Sequence, residues 1–427
     1  MAIDVGGHGS ARSGSARGSR ASLVHVFWLS GMSCDGCSVA MIGAASPGVE
    51  DLVLDRVPDL PIVVMHHPML SDESGHELMA MYTAAANGSL GAPYIVVVEG
   101  SIPDDQALSA GAFATMGTSQ DLSSRRRGSG PVKVTDWVIA LAPRAAATMA
   151  IGTCATWGGI PAAAGNITGS MGLMDFLGAS YRSAGGVPVV NVPGCAPQGD
   201  NFTETLLAII QYLDGSRDLP ALDELGRPEW LFDQTVHRHC PKAGYYEEGV
   251  FSEEPGDNQC LVEIGCWGPV VQCNIVERGA INHLGGCMVA GGACIGCTMP
   301  GFPDKYSPFY KTPPGSALSG GITKVTGGGI RRLRRMSMRA KNTEPIWDRS
   351  GEAGFTGWGL ANGLTNPFED VNTHFYKKLQ YRGSVHHGDR NKLQPQPKSM
   401  DILRQKGIDM DASTDVLQEH VITREEL

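Results

Sequence analysis

Short, continuously apolar runs recur through the first half of the chain, each followed by a stretch of helical character. Leu23–Leu29, Ile62–Met65, Tyr94–Val98, Thr148–Ile151 and Val187–Val192 are rich in Val and Ile. A strand buried on both faces is apolar throughout rather than alternating, so these runs predict parallel strands inside a sheet. Between them the spacing predicts helices over 38–45, 75–86, 135–147 and 202–213, the last N-capped by Asp200 or Asn201. The β-α-β-α order implies an α/β fold, a doubly wound parallel sheet covered on both faces, over residues 22–227.

From about residue 228 the alternation stops. Residues 228–315 are dense in Gly, Pro and Cys with little periodicity, so a core of ordinary size is not expected there. Such a segment needs another source of order, and metal binding supplies folding free energy directly. Residues 316–427 turn polar and charged and read as a C-terminal extension. Within it 330–340 is basic and helical in pattern, 377–391 loop-like, and 414–427 acidic and helix-compatible. Residues 1–21, rich in Gly, Ser, Ala and Arg, read as a disordered tail with neither an apolar h-region nor adjacent arginines.

Composition removes several function classes. Across 427 residues the net charge is −10, which argues against nucleic-acid binding, and Arg125–Arg127 among Ser and Gly reads as a solvated loop. The longest mostly apolar stretch, Val138–Gly152, contains Pro143 and Arg144 and is too short to span a bilayer. No Gly-rich fingerprint follows a strand, so pyridine-nucleotide binding is not expected. Together these features point to a cytoplasmic chain.

The cysteines change the picture. There are eleven, an odd number, and seven fall between 240 and 297. In a reducing compartment metal or cluster ligation is the better reading than disulfides. Cys34, Cys37, Cys154 and Cys195 all sit just beyond the carboxyl ends of predicted strands, the edge where open α/β sheets collect ligands. Gly36, Gly152 and Gly194 beside them let backbone approach a bulky guest. Further on, Cys240, Cys260 and Cys266 stand with a choice of His237 or His239, and Cys273, Cys287, Cys294 and Cys297 make four more thiols. Soft thiolates suit iron–sulfur clusters or zinc. The small residues of GGCMVAGGACIGC at 285–297, with a single Cys-x-x-Cys knuckle, favour the larger guest.

Eight stretches, WLSGMSCDGCS, EGSIP, GTCATWGG, NVPGCAPQGDNF, HRHCPKAG, CLVEIGCWGP, GACIGCTMPGFPD and SPFY, run in order from about residue 23 to 310. In them the chain resembles the small subunit of nickel–iron hydrogenases. The resemblance implies a flavodoxin-like sheet followed by an irregular iron–sulfur domain, and an electron relay from hydrogen oxidation at a nickel–iron centre held by a separate large subunit. It implies a proximal 4Fe-4S cluster on Cys34, Cys37, Cys154 and Cys195, a distal one on His237, Cys240, Cys260 and Cys266, and a medial one on Cys273, Cys294 and Cys297. Most of the family has proline where Cys287 stands and only three irons in the medial cluster. Here Cys287 supplies a fourth thiolate, which makes three 4Fe-4S clusters.

Oxygen-tolerant membrane-bound members carry extra cysteines where this chain has Gly36 and Gly159. Asp35 reads either as a turn former or as a carboxylate replacing one proximal thiolate, that of Cys34. These departures are similar to the soluble actinobacterial-type branch, associated with oxidising hydrogen at trace levels. A heterodimer, or an oligomer of heterodimers, with an unidentified electron acceptor follows. Two other readings stand beside it: the cluster subunit of a quinone-reducing respiratory complex, which keeps only the proximal cluster, and a zinc-stabilised interaction protein with a flavodoxin-like domain.

Overall fold

All five predicted apolar runs become strands of one parallel sheet: β1 (Leu23–Ser30), β2 (Ile62–His66), β3 (Tyr94–Glu99), β6 (Ala147–Ile151) and β7 (Val189–Val192). Two short strands, β4 (Thr115–Thr118) and β5 (Pro131–Lys133), pair antiparallel outside it. The computed structural model describes residues 23–310 except 106–110, 123–129, 179, 283 and 308, and scattered positions between 321 and 332. The 1–21 tail, Arg125–Arg127, and the readings made for 330–340 (Arg332 aside), 377–391 and 414–427 lie outside the described residues.

The sheet order is β2-β1-β3-β6-β7. Counted along the sheet strands alone this is 2-1-3-4-5, the flavodoxin-like order, and its direction reverses between β1 and β3. Register sets Phe27 beside both His66 and Val96, and Met149 beside both Val97 and Val190. Alternate residues then serve opposite faces. Phe27, Leu29, Val96 and Val98 meet Tyr82 and Trp137 from the helices Gly75–Ala86 and Val134–Leu141. Val26, Trp28, Val97 and Met149 meet Met41, Phe202 and Leu206 from the helices Gly36–Ile42 and Gly199–Leu213. Both faces are dry, which is why the strands read as unbroken apolar runs.

The helices depart from expectation where local chemistry intervenes. The third ends at Leu141, six residues early, because Pro143 turns the chain into a 3-10 segment, Ala142–Arg144. The fourth starts at Gly199, and its N-cap is Gln198, whose side chain accepts from the Asn201 N–H. Neither Asp200 nor Asn201 caps it. Asp200 instead accepts from the backbone N–H groups of Ala45 and Ser46 (2.6 and 3.0 Å), tying down the end of the first helix.

Among the described residues of 228–310 the helices are single turns, as at Glu229–Phe232, Ala243–Glu247 and Ile275–Arg278. The segment nevertheless has a core: Val236, Leu261, Trp267, Val271, Met299, Phe302 and Tyr306 pack together. The expectation of no ordinary core is corrected in one respect. Cys240, Cys266 and Cys294 are themselves members of that core, so thiols fill places that larger aliphatic residues take elsewhere. The segment is fastened to the sheet by a reciprocal amide pair, Asn201 with Asn274 (2.8 and 2.9 Å), and by the Trp157 Nε1–H donating to the Thr298 carbonyl at 3.2 Å.

Candidate metal centres

All four of the first thiols follow the ends of three strands: Cys34 and Cys37 after β1, Cys154 after β6 and Cys195 after β7. After β1 the chain turns at Asp35, which adopts a left-handed conformation (φ 59°) and opens the helix carrying Cys37. Asp tolerates that conformation better than most side chains. Its N–H donates to Ser33 Oγ at 2.9 Å, and its carboxylate makes no capping bond. After β6 a six-residue helix, Gly152–Trp157, begins at once and carries Cys154; it was not expected from the sequence. Gly152 sits at φ +83°, and a Cβ there would lie 2.3 Å from Cys37 Sγ, so only glycine allows this turn to close on the first loop. Gly159 is equally confined: at φ +53° its Cβ would stand 2.8 Å from Cys154 Sγ. This backbone therefore has no room for an additional thiol at that position.

Cys34, Cys37, Cys154 and Cys195 come together. The negative charges of Cys34, Cys154, Cys195 and Glu99 reinforce burial in pushing the Cys37 thiol far up, and Cys195 and Cys34 help push Cys154 to about 11. Cys37 is buried while Cys34 and Cys195 remain exposed, so this group lies at the surface of the molecule.

His237, Cys240, Cys260 and Cys266 line one pocket, with Lys242 and Met288. Burial holds the His237 imidazole down to about 4, a neutral ligand-competent state, and pushes Cys240 up to about 12. His237 packs edge-on against Tyr246. His239, three residues before Lys242, is turned elsewhere and bonds Gln234 Oε1 at 2.7 Å.

Cys273, Cys287, Cys294 and Cys297 form the third group. Burial first, then the charge of Cys287, raises Cys273 to about 12, and burial with Cys273 raises Cys297 to about 12. This group touches both of the others. The Cys195 backbone lies beside the Cys297 sulfur, and the Cys294 N–H donates to Cys266 Sγ at 3.3 Å. The linear order is thus Cys34/Cys37/Cys154/Cys195, then the third group, then the His237 group.

No three His, Cys, Asp or Glu side chains among the described residues converge on a point that one ion would occupy. Thiols gathered in fours yet held apart suit a polynuclear core better than a single zinc ion, whose ligands must reach about 2.3 Å from one centre. Raised thiols also fit, since metal binding replaces their protons. The sequence reading missed two residues beside these groups. Glu99, fully buried, accepts from the Cys37 N–H, and Arg227, also buried, reaches the residue before Cys273 through Gln272. An acid ending the otherwise apolar run YIVVVE was a visible signal for the first; Arg227 in a turn gave none.

A doubly wound sheet joined to a thiol-cored irregular unit, with sulfur groups running from one into the other, defines an electron-transfer subunit. The comparisons specify which. The family model described as NADH ubiquinone oxidoreductase, 20 Kd subunit, matches residues 34–209, and the model for the C-terminal part of the NiFe/NiFeSe hydrogenase small subunit matches 232–310. The periplasmic NiFeSe hydrogenase small subunit of Desulfomicrobium baculatum is 34% identical over 289 residues, covering 67% of this chain and 86% of that protein. The F420 non-reducing hydrogenase II small subunit of Methanosarcina mazei is 31% identical over 345 residues, 73% of this chain and 84% of that one. Among solved structures, the actinobacterial-type NiFe-hydrogenase from Ralstonia eutropha H16 superposes with a TM-score of 0.71 at 45% identity, over 81% of this chain and 96% of that chain. The chain belongs to the small-subunit family of nickel–iron hydrogenases. It is the electron-relay partner of a large subunit that carries the nickel–iron centre and cleaves hydrogen. The second unit decides between the two family models, because thiols beyond Cys195 are what a single-cluster respiratory subunit lacks.

Proposed function

We propose that this subunit holds three 4Fe-4S clusters in series: on Cys34, Cys37, Cys154 and Cys195, on Cys273, Cys287, Cys294 and Cys297, and on His237, Cys240, Cys260 and Cys266. When bound, such clusters accept and pass on single electrons at potentials set by their surroundings. The observation that carries the reading is the contact of the middle group with both others, Cys297 with Cys195 and Cys294 with Cys266. The thiolates hold the metal, the core of Trp267, Phe302 and Tyr306 buries Cys294 of the middle group while Cys287 stays exposed, and the neutral His237 completes the last set.

At the first group the exposed Cys34 and Cys195 sit near uncovered apolar residues Val39, Ile42 and Ile281, ground that supports the large subunit docking there. Electrons would leave beside His237 for an acceptor. The likeness to the actinobacterial-type enzyme supports placing this chain in that branch, and we keep the cytoplasmic location read from composition. Among the described residues no helix is long and apolar enough to cross a membrane.

Purification from the native source tests this reading. A large subunit should accompany the chain, and the pair should reduce a redox dye under hydrogen. A chain that purifies alone, or a pair inert to hydrogen, contradicts it.

A further inference from the structure

Two fully buried charges of opposite sign stand at two neighbouring thiol groups. Glu99 closes β3, where the sheet order reverses, and both of its oxygens are occupied by donors. Oε1 accepts from the N–H groups of Cys37 and Ser38 (3.0 and 3.2 Å), and Oε2 from Trp28 Nε1 (3.0 Å) and Ser38 Oγ (2.5 Å). The proton on Ser38 is assigned by its neighbours. His67 Nδ1 accepts from the Met69 N–H at 3.1 Å, so its Nε2 carries the hydrogen and donates to Ser38 Oγ at 2.9 Å, leaving the hydroxyl to donate to Glu99. Four donors and no acceptor hold this side chain as a carboxylate. Such a charge is retained in a dry interior only because every lone pair is met.

Arg227 is the opposite case. Its guanidinium pairs with Asp223 (Nε 2.8 Å, Nη2 2.7 Å) and lies over the Phe232 ring. Nη2 also donates to Gln272 Oε1 at 2.6 Å, and Nη1 reaches Met299 Sδ at 3.6 Å. Gln272 precedes Cys273 and Met299 follows Cys297 by two residues, so the cation is fixed between the two ends of the middle thiol group. Asp223 offsets part of its field, and of the pair it is the guanidinium that bonds Gln272, the residue beside Cys273.

We propose that these buried charges grade the reduction potentials of the relay: Glu99 lowers that of the station on Cys34, Cys37, Cys154 and Cys195, and Arg227 raises that of the station on Cys273, Cys287, Cys294 and Cys297. The inference rests on the three-cluster reading above. An anion opposes the added negative charge of reduction and a cation favours it, and low internal dielectric amplifies both. With clusters held on those thiols, one electron would pass from the first station, which would be oxidised, to the second, which would be reduced, with hydrogen oxidation in the large subunit as the source.

The test is a potentiometric titration of the intact heterodimer, followed by electron paramagnetic resonance. In Glu99→Gln the proximal midpoint should shift upward while the medial one stays. In Arg227→Met with Asp223→Asn the medial midpoint should shift downward while the proximal one stays. Unmoved midpoints in variants with full iron content overturn the inference and leave the cluster reading intact; absence of iron from the unmodified heterodimer sinks the cluster reading itself. If a variant does not load, the unmodified heterodimer decides: a proximal midpoint below the medial one supports the grading, and the reverse order overturns it.

Discussion

The sheet unit and the irregular unit use sulfur in opposite ways. In residues 23–227 the core is built mainly of large apolar side chains, with Trp28, Tyr82, Trp137 and Phe202 buried between helices and strands; of its ligand thiols Cys37 joins that core, while Cys34 and Cys195 sit exposed at the rim. In residues 228–310 Cys240, Cys266 and Cys294 lie inside the core, among Val236, Trp267 and Met299. The first unit offers a cluster a ready seat. The second should depend more on what its thiols bind, because it lacks long helices and strands and three of those thiols are members of its core.

Removing iron should separate the two most sharply. With a chelator under reducing conditions, amide exchange across 228–310 should accelerate by orders of magnitude while β1, β3 and β6 keep their protection. Equal loss in both units would break the comparison. Acid should act in the same direction as the chelator: with Cys240, Cys273 and Cys297 raised to about 12, protons compete with iron for the thiolates, so loading weakens as pH falls.

Cys287→Pro comes next. It should convert the medial station to a three-iron cluster with a changed paramagnetic resonance signal and leave the other two spectra alone; an unchanged medial signal contradicts the assignment of Cys287. A smaller contrast lies between two histidines. His237→Ala should perturb the distal signal, since the ring lines that pocket, whereas His239→Ala removes the bond to Gln234 and a 3.6 Å contact with the exposed Glu277 and should cost about 1 kcal/mol of stability at most. The reverse result would show that the other imidazole is the ligand. The smallest effect is expected from Asp35→Ser at the exposed rim. A change in the proximal spectrum would mean the carboxylate binds iron, and a shift confined to stability would mean it serves the left-handed turn.

Much of this contrast was legible in the residues. Five apolar runs became the five sheet strands because burial on both faces leaves a continuous Val/Ile signature. The same logic placed Cys154 and Cys195 at strand ends, and spacing gathered the later thiols. What stayed hidden was set by contacts distant in sequence. The helix at Gly152–Trp157 has small residues up to its closing Trp157 and no apolar period, and forms because the strand end and Cys37 confine it. β4 and β5 are too short and too polar to show a pattern. Asp200 looked like a cap, yet Ala45 and Ser46 claim its carboxylate from 155 and 154 residues away. Glu99 was visible as an odd acid at the end of a strand, but its four donors come from three separate residues that only the fold assembles.

Iron, acid-labile sulfide and zinc measured together per heterodimer test the central claim most directly. Three cubanes in this subunit predict about twelve cluster irons and about twelve sulfides, with zinc near zero. About four cluster irons, or zinc in stoichiometric amount with little sulfide, would contradict a three-station relay.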